Sequence, residues 1–166
     1  MNRREVLGMG SVGVVALALA GRFALTHDAA AAPDGVFPIR HTDAEWRKML
    51  PPASYTVLRQ AGTEQPFTSP LLGEHRTGVF HCMGCATPAY GSETKYDSHT
   101  GWPSFWQVLD NAVIRIPDHS FGSDRTAISC KECGSHLGHV FNDGPKPTGL
   151  RYCMNGVALT FVPATA

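Results

Sequence analysis

The chain has 166 residues, 43% of them hydrophobic and 17% charged, and its acidic and basic side chains balance at 14 each. That balance excludes an electrostatic nucleic-acid footprint, and so little charge on an ordinary hydrophobic content excludes a charged disordered chain. The length suits one domain with a tail, and the odd count of 5 cysteines excludes a fully paired disulfide framework.

Residues 1–32 read as a leader and residues 33–166 as the domain. Arg3-Arg4 begins the leader, an apolar run extends from Met9 to Ala20, and Ala29-Ala30-Ala31-Ala32 leads into Pro33. These are the parts of an export signal, with cleavage expected near Ala31 or Ala32. The paired arginines with Leu7 resemble a twin-arginine signal, which implies export to the bacterial periplasm of a protein already folded, with any metal seated. An uncleaved membrane anchor is the competing reading, although the apolar run is short for a span. Membrane contact is expected only through this segment, before cleavage. All the cysteines lie beyond it, in a compartment that would invite disulfides.

In the domain, Thr42-Asp43-Ala44-Glu45 is a capping box opening a short helix that carries Trp46, Met49 and Leu50, and Pro51-Pro52 stops it. A second brief helix is expected around Tyr55, Val57 and Leu58, ending before Gly62. From Gly78 onward the pattern changes to short apolar runs bounded by turn residues. Val79-Phe80, Val113 to Ile116, Ala127-Ile128, Val140-Phe141 and Val157 to Val162 read as strands. The expected fold is mainly β and mostly antiparallel, with a short helical N-terminal arm.

Cys82-Met83-Gly84-Cys85 and Cys130-Lys131-Glu132-Cys133 carry two residues between cysteines, so each tight turn aims two sulfurs at one ion. Gly84 and Gly134 are expected to relax those turns. Two matched pairs supply the tetrahedral sulfur set of a structural zinc ion, and a closed shell of thiolates leaves no open position for chemistry. Redox or structural disulfides are the competing readings.

Cys153 is then left over, in Leu150-Arg151-Tyr152-Cys153-Met154-Asn155. A strand here would place Arg151, Cys153 and Asn155 on one face, giving the thiol a cation and an amide as neighbours. An inert core cysteine is the alternative. His136-Leu137-Gly138-His139-Val140-Phe141 supplies imidazoles suited to proton transfer, or else ligands to a metal. Trp102, within Gly101-Trp102-Pro103-Ser104-Phe105-Trp106, offers an apolar wall to a ligand or simply packs the core.

Together these segments resemble the B-type peptide-methionine (R)-S-oxide reductases, from about Trp46 to Pro163. The match runs in order through Tyr55-Thr56-Val57-Leu58-Arg59, Gly62-Thr63-Glu64, Pro66-Phe67 and Ser92 to Ser98. It continues through Gly101 to Phe105, His136 to Phe141, Asp143-Gly144-Pro145, Pro147 to Cys153 and Asn155.

The resemblance implies two antiparallel sheets in a compact domain, with zinc on Cys82, Cys85, Cys130 and Cys133 away from the active site. It implies Cys153 as nucleophile, with His136, His139 and Asn155 on the polar side and Arg151 just before the thiol. Trp102 and Phe141 match the apolar side that receives the sulfoxide methyl group. The implied activity reduces the R epimer of methionine sulfoxide in oxidised proteins or peptides. The thiolate attacks sulfur, the sulfoxide oxygen accepts a proton from His139, with or without His136, and the cysteine ends as a sulfenic acid. Because a histidine donates when protonated, activity is expected to fall at high pH.

Many family members carry a resolving cysteine where this chain has Thr100, and glycine where it has His99. With four cysteines on zinc, a thioredoxin-like or other external thiol is expected to resolve the sulfenic acid. Ser123 and Ala127 stand where methionine and glutamate are common, and Gly156 where serine is usual. Gly156 is expected to loosen the nucleophile's strand. A zinc-bearing protein-binding module, or another thiol-dependent redox enzyme on the same scaffold, are the competing functions.

Overall fold

The computed structural model describes residues 37–165, so the leader expected over residues 1–32 lies outside the described residues. No helix among the described residues is long and apolar enough to cross a membrane.

The capping box opens α1 (Asp43–Met49) as its sequence requires. The Thr42 hydroxyl accepts from Glu45 N at 3.3 Å, and the Glu45 carboxylate accepts from Thr42 N at 2.7 Å. Leu50, forced out of the helical region by the following proline, ends it in extended backbone. Pro52 then takes the first position of α2 (Pro52–Gln60), where a missing N–H leaves no bond unmade. Ala61, in the left-handed region, closes α2 before Gly62. The two helices bury Trp46, Tyr55, Val57 and Leu58. Arg59 ties this arm to the sheets: its guanidinium donates to Cys133 O at 3.1 Å and to Ser135 Oγ at 3.3 Å. The same group lies 4.8 Å from the Trp46 ring centre.

The strands are β1 (Gly78–Cys82), β2 (Pro88–Gly91), β3 (Lys95–Tyr96), β4 (Ser104–Phe105) and β5 (Val113–Asp118), then β6 (Arg125–Cys130), β7 (His136–Phe141), β8 (Arg151–Met154) and β9 (Leu159–Pro163). They form two antiparallel sheets, ordered β2-β1-β9 and β3-β4-β8-β7-β6-β5. The mainly β class with a helical arm is therefore what the chain adopts. Aromatics join the sheets: Phe80 of β1 meets the Phe105 ring of β4 edge-on at 5.0 Å, and Phe105 stacks on Tyr90 of β2 at 4.4 Å. Ile128, Leu137 and Met154 complete this core without exposure, each contributing about 1.5–3 kcal/mol relative to an exposed side chain.

Two local expectations differ from the structure. The run from Val157 to Val162 becomes strand only at Leu159, because Gly156–Ala158 form a 3-10 turn. The Glu64 carboxylate accepts from Gly156 N at 2.5 Å, capping that turn from a distant loop. Among the cysteine turns, Gly134 adopts φ +69, but in the first turn the left-handed residue is Ala86 at φ 58, and Gly84 does not take that role. Gly84 instead provides room, since a β-carbon there would lie 3.1 Å from Ser135 Oγ.

Candidate active site and metal centre

The end of β1 and the turn between β6 and β7 bring the two Cys-x-x-Cys pairs together. Their four sulfurs lie within 4.8 Å of one another, with Cys82 and Cys133 at 3.7 Å and Cys85 and Cys130 at 3.5 Å. Four thiolates around one ion at a zinc–sulfur distance of about 2.3 Å stand about 3.8 Å apart, so these donors fit a tetrahedral metal. All are free thiols rather than disulfides. Their mutual hydrogen bonding, with Cys130 as the leading partner, pushes Cys82 far above the ordinary thiol range and pulls Cys85 far below it. Hydroxyls of Thr87 and Ser135 stand 3.0 Å from Cys85 Sγ and 3.2 Å from Cys133 Sγ, placed to orient metal-bound thiolates.

The fifth thiol sits elsewhere. Cys153, half-buried in β8, pairs directly with His139 of β7 on one side and Ser104 of β4 on the other. Directly opposed residues share a sheet face, so Cys153 and His139 face the same way, as do Arg151 and Phe141. Gly138 permits this closeness: a β-carbon there would collide with the Cys153 carbonyl oxygen. The register places Cys130 three residues along β6 from Ala127, the residue opposite His139. At about 3.3 Å per residue, the cysteine cluster stands roughly 10 Å away along that strand.

Thr100 Oγ1 lies 3.7 Å from Cys153 Sγ and begins a chain of hydroxyls, to Ser98 Oγ at 2.8 Å and on to Ser104 Oγ at 2.7 Å. A groove of about 400 Å³ opens beside it, lined by Tyr96, Ser98, Thr100, Asp143 and Arg151 among others. His99 adopts φ 58, which explains why its position suits glycine.

Two imidazoles adjoin this face, with ring centres 5.2 Å apart. Burial drives His136 down to about 4, helped by its neighbour His139, and its Nε2 is buried without a hydrogen-bond partner. Burial also lowers His139, while a hydrogen bond with Asp118 opposes that shift. The protonated forms are therefore minor at neutral pH, and a histidine-dependent fall in activity belongs at lower pH than an unperturbed imidazole would place it. Burial on its own would raise Asp118, but hydrogen bonds from Ser120 and His139 and the charge of Arg125 hold it well below the usual carboxylate range.

Arg151 does not stand free beside the thiol. It forms a two-pronged pair with Asp143, both contacts at 2.8 Å, and its guanidinium lies 4.3 Å from the Phe141 ring centre. Those bonds to Asp143 chiefly hold its pKa up, and the sulfur of Cys153 adds to them. Trp102 is pinned by its indole N–H, which donates to Glu64 O at 2.9 Å.

Asn155 lies just beyond β8, so the period-two face does not extend to it. Its amide accepts from Glu64 N at 2.8 Å and donates to Leu137 O at 3.1 Å. Glu64 thus fastens both Asn155 and Trp102, a role invisible from its place in Gly62-Thr63-Glu64. Gly156 does not leave a loose strand end, because a β-carbon there would collide with Ser69 Oγ, which fills the space. Asp118 and Ser98 were likewise not singled out by the sequence. Asp118 reads only as an acid at a strand end, and nothing in the chain order signals its reach to β7.

A SelR domain family model matches residues 50–163. Curated relatives named peptide methionine sulfoxide reductase MsrB agree. One from Pseudomonas putida (strain W619) is 52% identical over 126 residues, covering 75% of this chain and 95% of the relative. One from Leifsonia xyli subsp. xyli (strain CTCB07) is 52% identical over 131 residues, covering 78% and 94%. The chain belongs to the B-type methionine sulfoxide reductase family. A third relative, from Leptospira interrogans serogroup Icterohaemorrhagiae serovar Lai (strain 56601), is 48% identical and covers 75% of this chain and 96% of its own length. As a B-type methionine sulfoxide reductase the protein is an oxidoreductase, and the matched span contains the cysteine cluster and the face around Cys153.

Proposed function

We propose that the protein reduces the R epimer of methionine sulfoxide in oxidised proteins and peptides, with Cys153 as the nucleophile. The register of β7 and β8 carries this reading: it sets the thiol outside the cysteine cluster directly opposite His139. The Cys153 thiolate attacks the sulfoxide sulfur while His139, backed by His136, gives a proton to the oxygen. The net step converts thiol plus sulfoxide into sulfenic acid plus thioether. Two electrons pass from the Cys153 sulfur to the substrate sulfur, and one oxygen atom passes the other way. Arg151, held by Asp143, contributes a fixed positive charge beside the thiolate. Asn155 works through the backbone it braces.

Epimer choice follows from which groups receive the methyl group and which the oxygen. Trp102, with its ring fixed by Glu64, and Phe141, covered by Arg151, receive the apolar methyl group. The imidazoles receive the oxygen. Exchanging the epimers would turn the oxygen away from the imidazoles that protonate it.

Cys82, Cys85, Cys130 and Cys133 would hold one zinc ion, which supplies a structural clamp with a closed thiolate shell. With those thiols engaged, a thioredoxin-like or other external thiol resolves the sulfenic acid, giving a disulfide on the reductant and one water. Export to the periplasm belongs to the same proposal and is supported by the composition of residues 1–32. Mass spectrometry of metal-bound protein after one turnover without reductant tests the resolving step. The expected product gains one oxygen at Cys153, and an intramolecular disulfide would overturn the external-thiol route.

A further inference from the structure

The carboxylate of Asp118, at the end of β5, meets His139 on β7, although β6 lies between these two strands. Its side chain crosses on the site face, where the residue opposite His139 on β6 is Ala127, which brings only a methyl group. Asp118 is 6% exposed. Its Oδ1 accepts from Ser120 N at 2.9 Å and from Ser120 Oγ at 2.5 Å, and its Oδ2 accepts from Arg125 Nη2 at 2.8 Å. The same Oδ2 lies 2.7 Å from His139 Nε2.

These contacts decide the tautomer of His139. A carboxylate supported by Ser120 and Arg125 remains ionised at working pH and can only accept. At 2.7 Å the hydrogen between Oδ2 and Nε2 must therefore belong to the imidazole. Nδ1 is then the nitrogen left to receive and release a proton. When Nδ1 is protonated, the imidazolium forms against a fixed anion. Among the described residues, the charged and titratable groups facing His139 are Asp118 from β5, Arg125 from β6, His136 on β7 and Cys153 on β8. Of these, Asp118 alone among the carboxylates both touches the ring and favours its charged form.

We propose that Asp118 is a positioning residue for sulfoxide reduction, holding His139 as the Nε2–H tautomer and stabilising the imidazolium that gives its Nδ1 proton to the sulfoxide oxygen. The proposal rests on His139 being the proton donor assigned above. It goes further in naming the nitrogen that acts and the group that sets it. Arg125 and Ser120 fix Asp118 in turn, so the relay is anchored on two strands before it reaches the site.

The test pairs a pH profile with nitrogen-resolved histidine NMR. Single-turnover oxidation of Cys153 by a methionine-R-sulfoxide peptide is followed across pH in the wild type and in Asp118→Asn. The wild type should show His139 as the Nε2–H tautomer. In Asp118→Asn the loss of the anion, with Arg125 remaining, disfavours the imidazolium. The His139 titration should move down by about one unit, and the high-pH fall in rate should move with it. At neutral pH the single-turnover rate at saturating peptide should drop by about tenfold or more, with the half-saturating peptide concentration little changed, a share of the 10²–10⁴ that positioned proton transfer supplies. An Nδ1–H tautomer in the wild type would overturn the proposal. So would a titration and a rate profile that do not move in Asp118→Asn. If that variant does not fold, the wild-type tautomer decides by itself. A His139→Asn protein that reduces the peptide at the wild-type rate would bring down the underlying reading of His139 and this proposal with it.

Discussion

Replacing Cys153 with serine is expected to lower methionine sulfoxide reduction by at least about 10³-fold while leaving the fold and the cysteine cluster intact. The chemistry asks two things of this side chain: to be an anionic nucleophile near neutral pH, and to accept an oxygen while giving up two electrons. A serine hydroxyl ionises far too weakly for the first and has no counterpart of the sulfenic acid for the second. Structurally the exchange is mild, because Cys153 is half-buried and its polar neighbour is Thr100 Oγ1 at 3.7 Å, to which serine can also hydrogen-bond. Stability should change by no more than about 0.5 kcal/mol. Turnover assays beside thermal melting check both halves. Retained reduction by this variant would remove the nucleophile assignment, and a wild type that never reduces the substrate would favour a non-catalytic binding module.

The second large effect concerns the metal clamp. Cys130 is 1% exposed at the end of β6, and Cys82 is fully buried at the end of β1, so one ion would join the two sheets. The helical arm depends on the same corner through Arg59, which donates to the Cys133 carbonyl, and through Ile39 N, which donates to Glu132 O at 2.9 Å. Structural zinc sites release about 10–16 kcal/mol on binding in zinc-finger peptides, which rivals the 5–15 kcal/mol that a whole domain typically holds. Cys130→Ser should therefore leave the purified protein with little bound zinc and lower its melting temperature by more than about 10 °C. A strong chelator should do the same to the wild type. A variant without metal that melts at the wild-type temperature would show that packing alone holds this corner.

Features governed by local spacing were legible in the sequence. Thr42 and Glu45 form their capping box because both partners lie within one turn. The Cys-x-x-Cys pairs advertise a common ion, and alternation along β8 puts Arg151 and Cys153 on one face. Contacts whose partners are distant in the chain were not legible. Asp118 reaches His139 across an intervening strand, Glu64 fastens Asn155 and Trp102, and Ser69 fills the space at Gly156. Each depends on how strands come to lie side by side, which hydrophobic patterning does not specify. The burial that lowers His136 and His139 is hidden for the same reason, and it moves the expected pH response. His99 is a related case. Its left-handed backbone costs roughly 1–2 kcal/mol in a residue other than glycine, and its side chain extends into solvent, so packing does not oppose the exchange.

The most direct test supplies a peptide containing both epimers of methionine sulfoxide, with excess thiol reductant, and resolves what remains by chromatography. If the methyl group is received by Trp102 and Phe141 and the oxygen by the imidazoles, as proposed, the R epimer is consumed completely and the S epimer persists. Consumption of the S epimer at a comparable rate, or of neither, would contradict that arrangement.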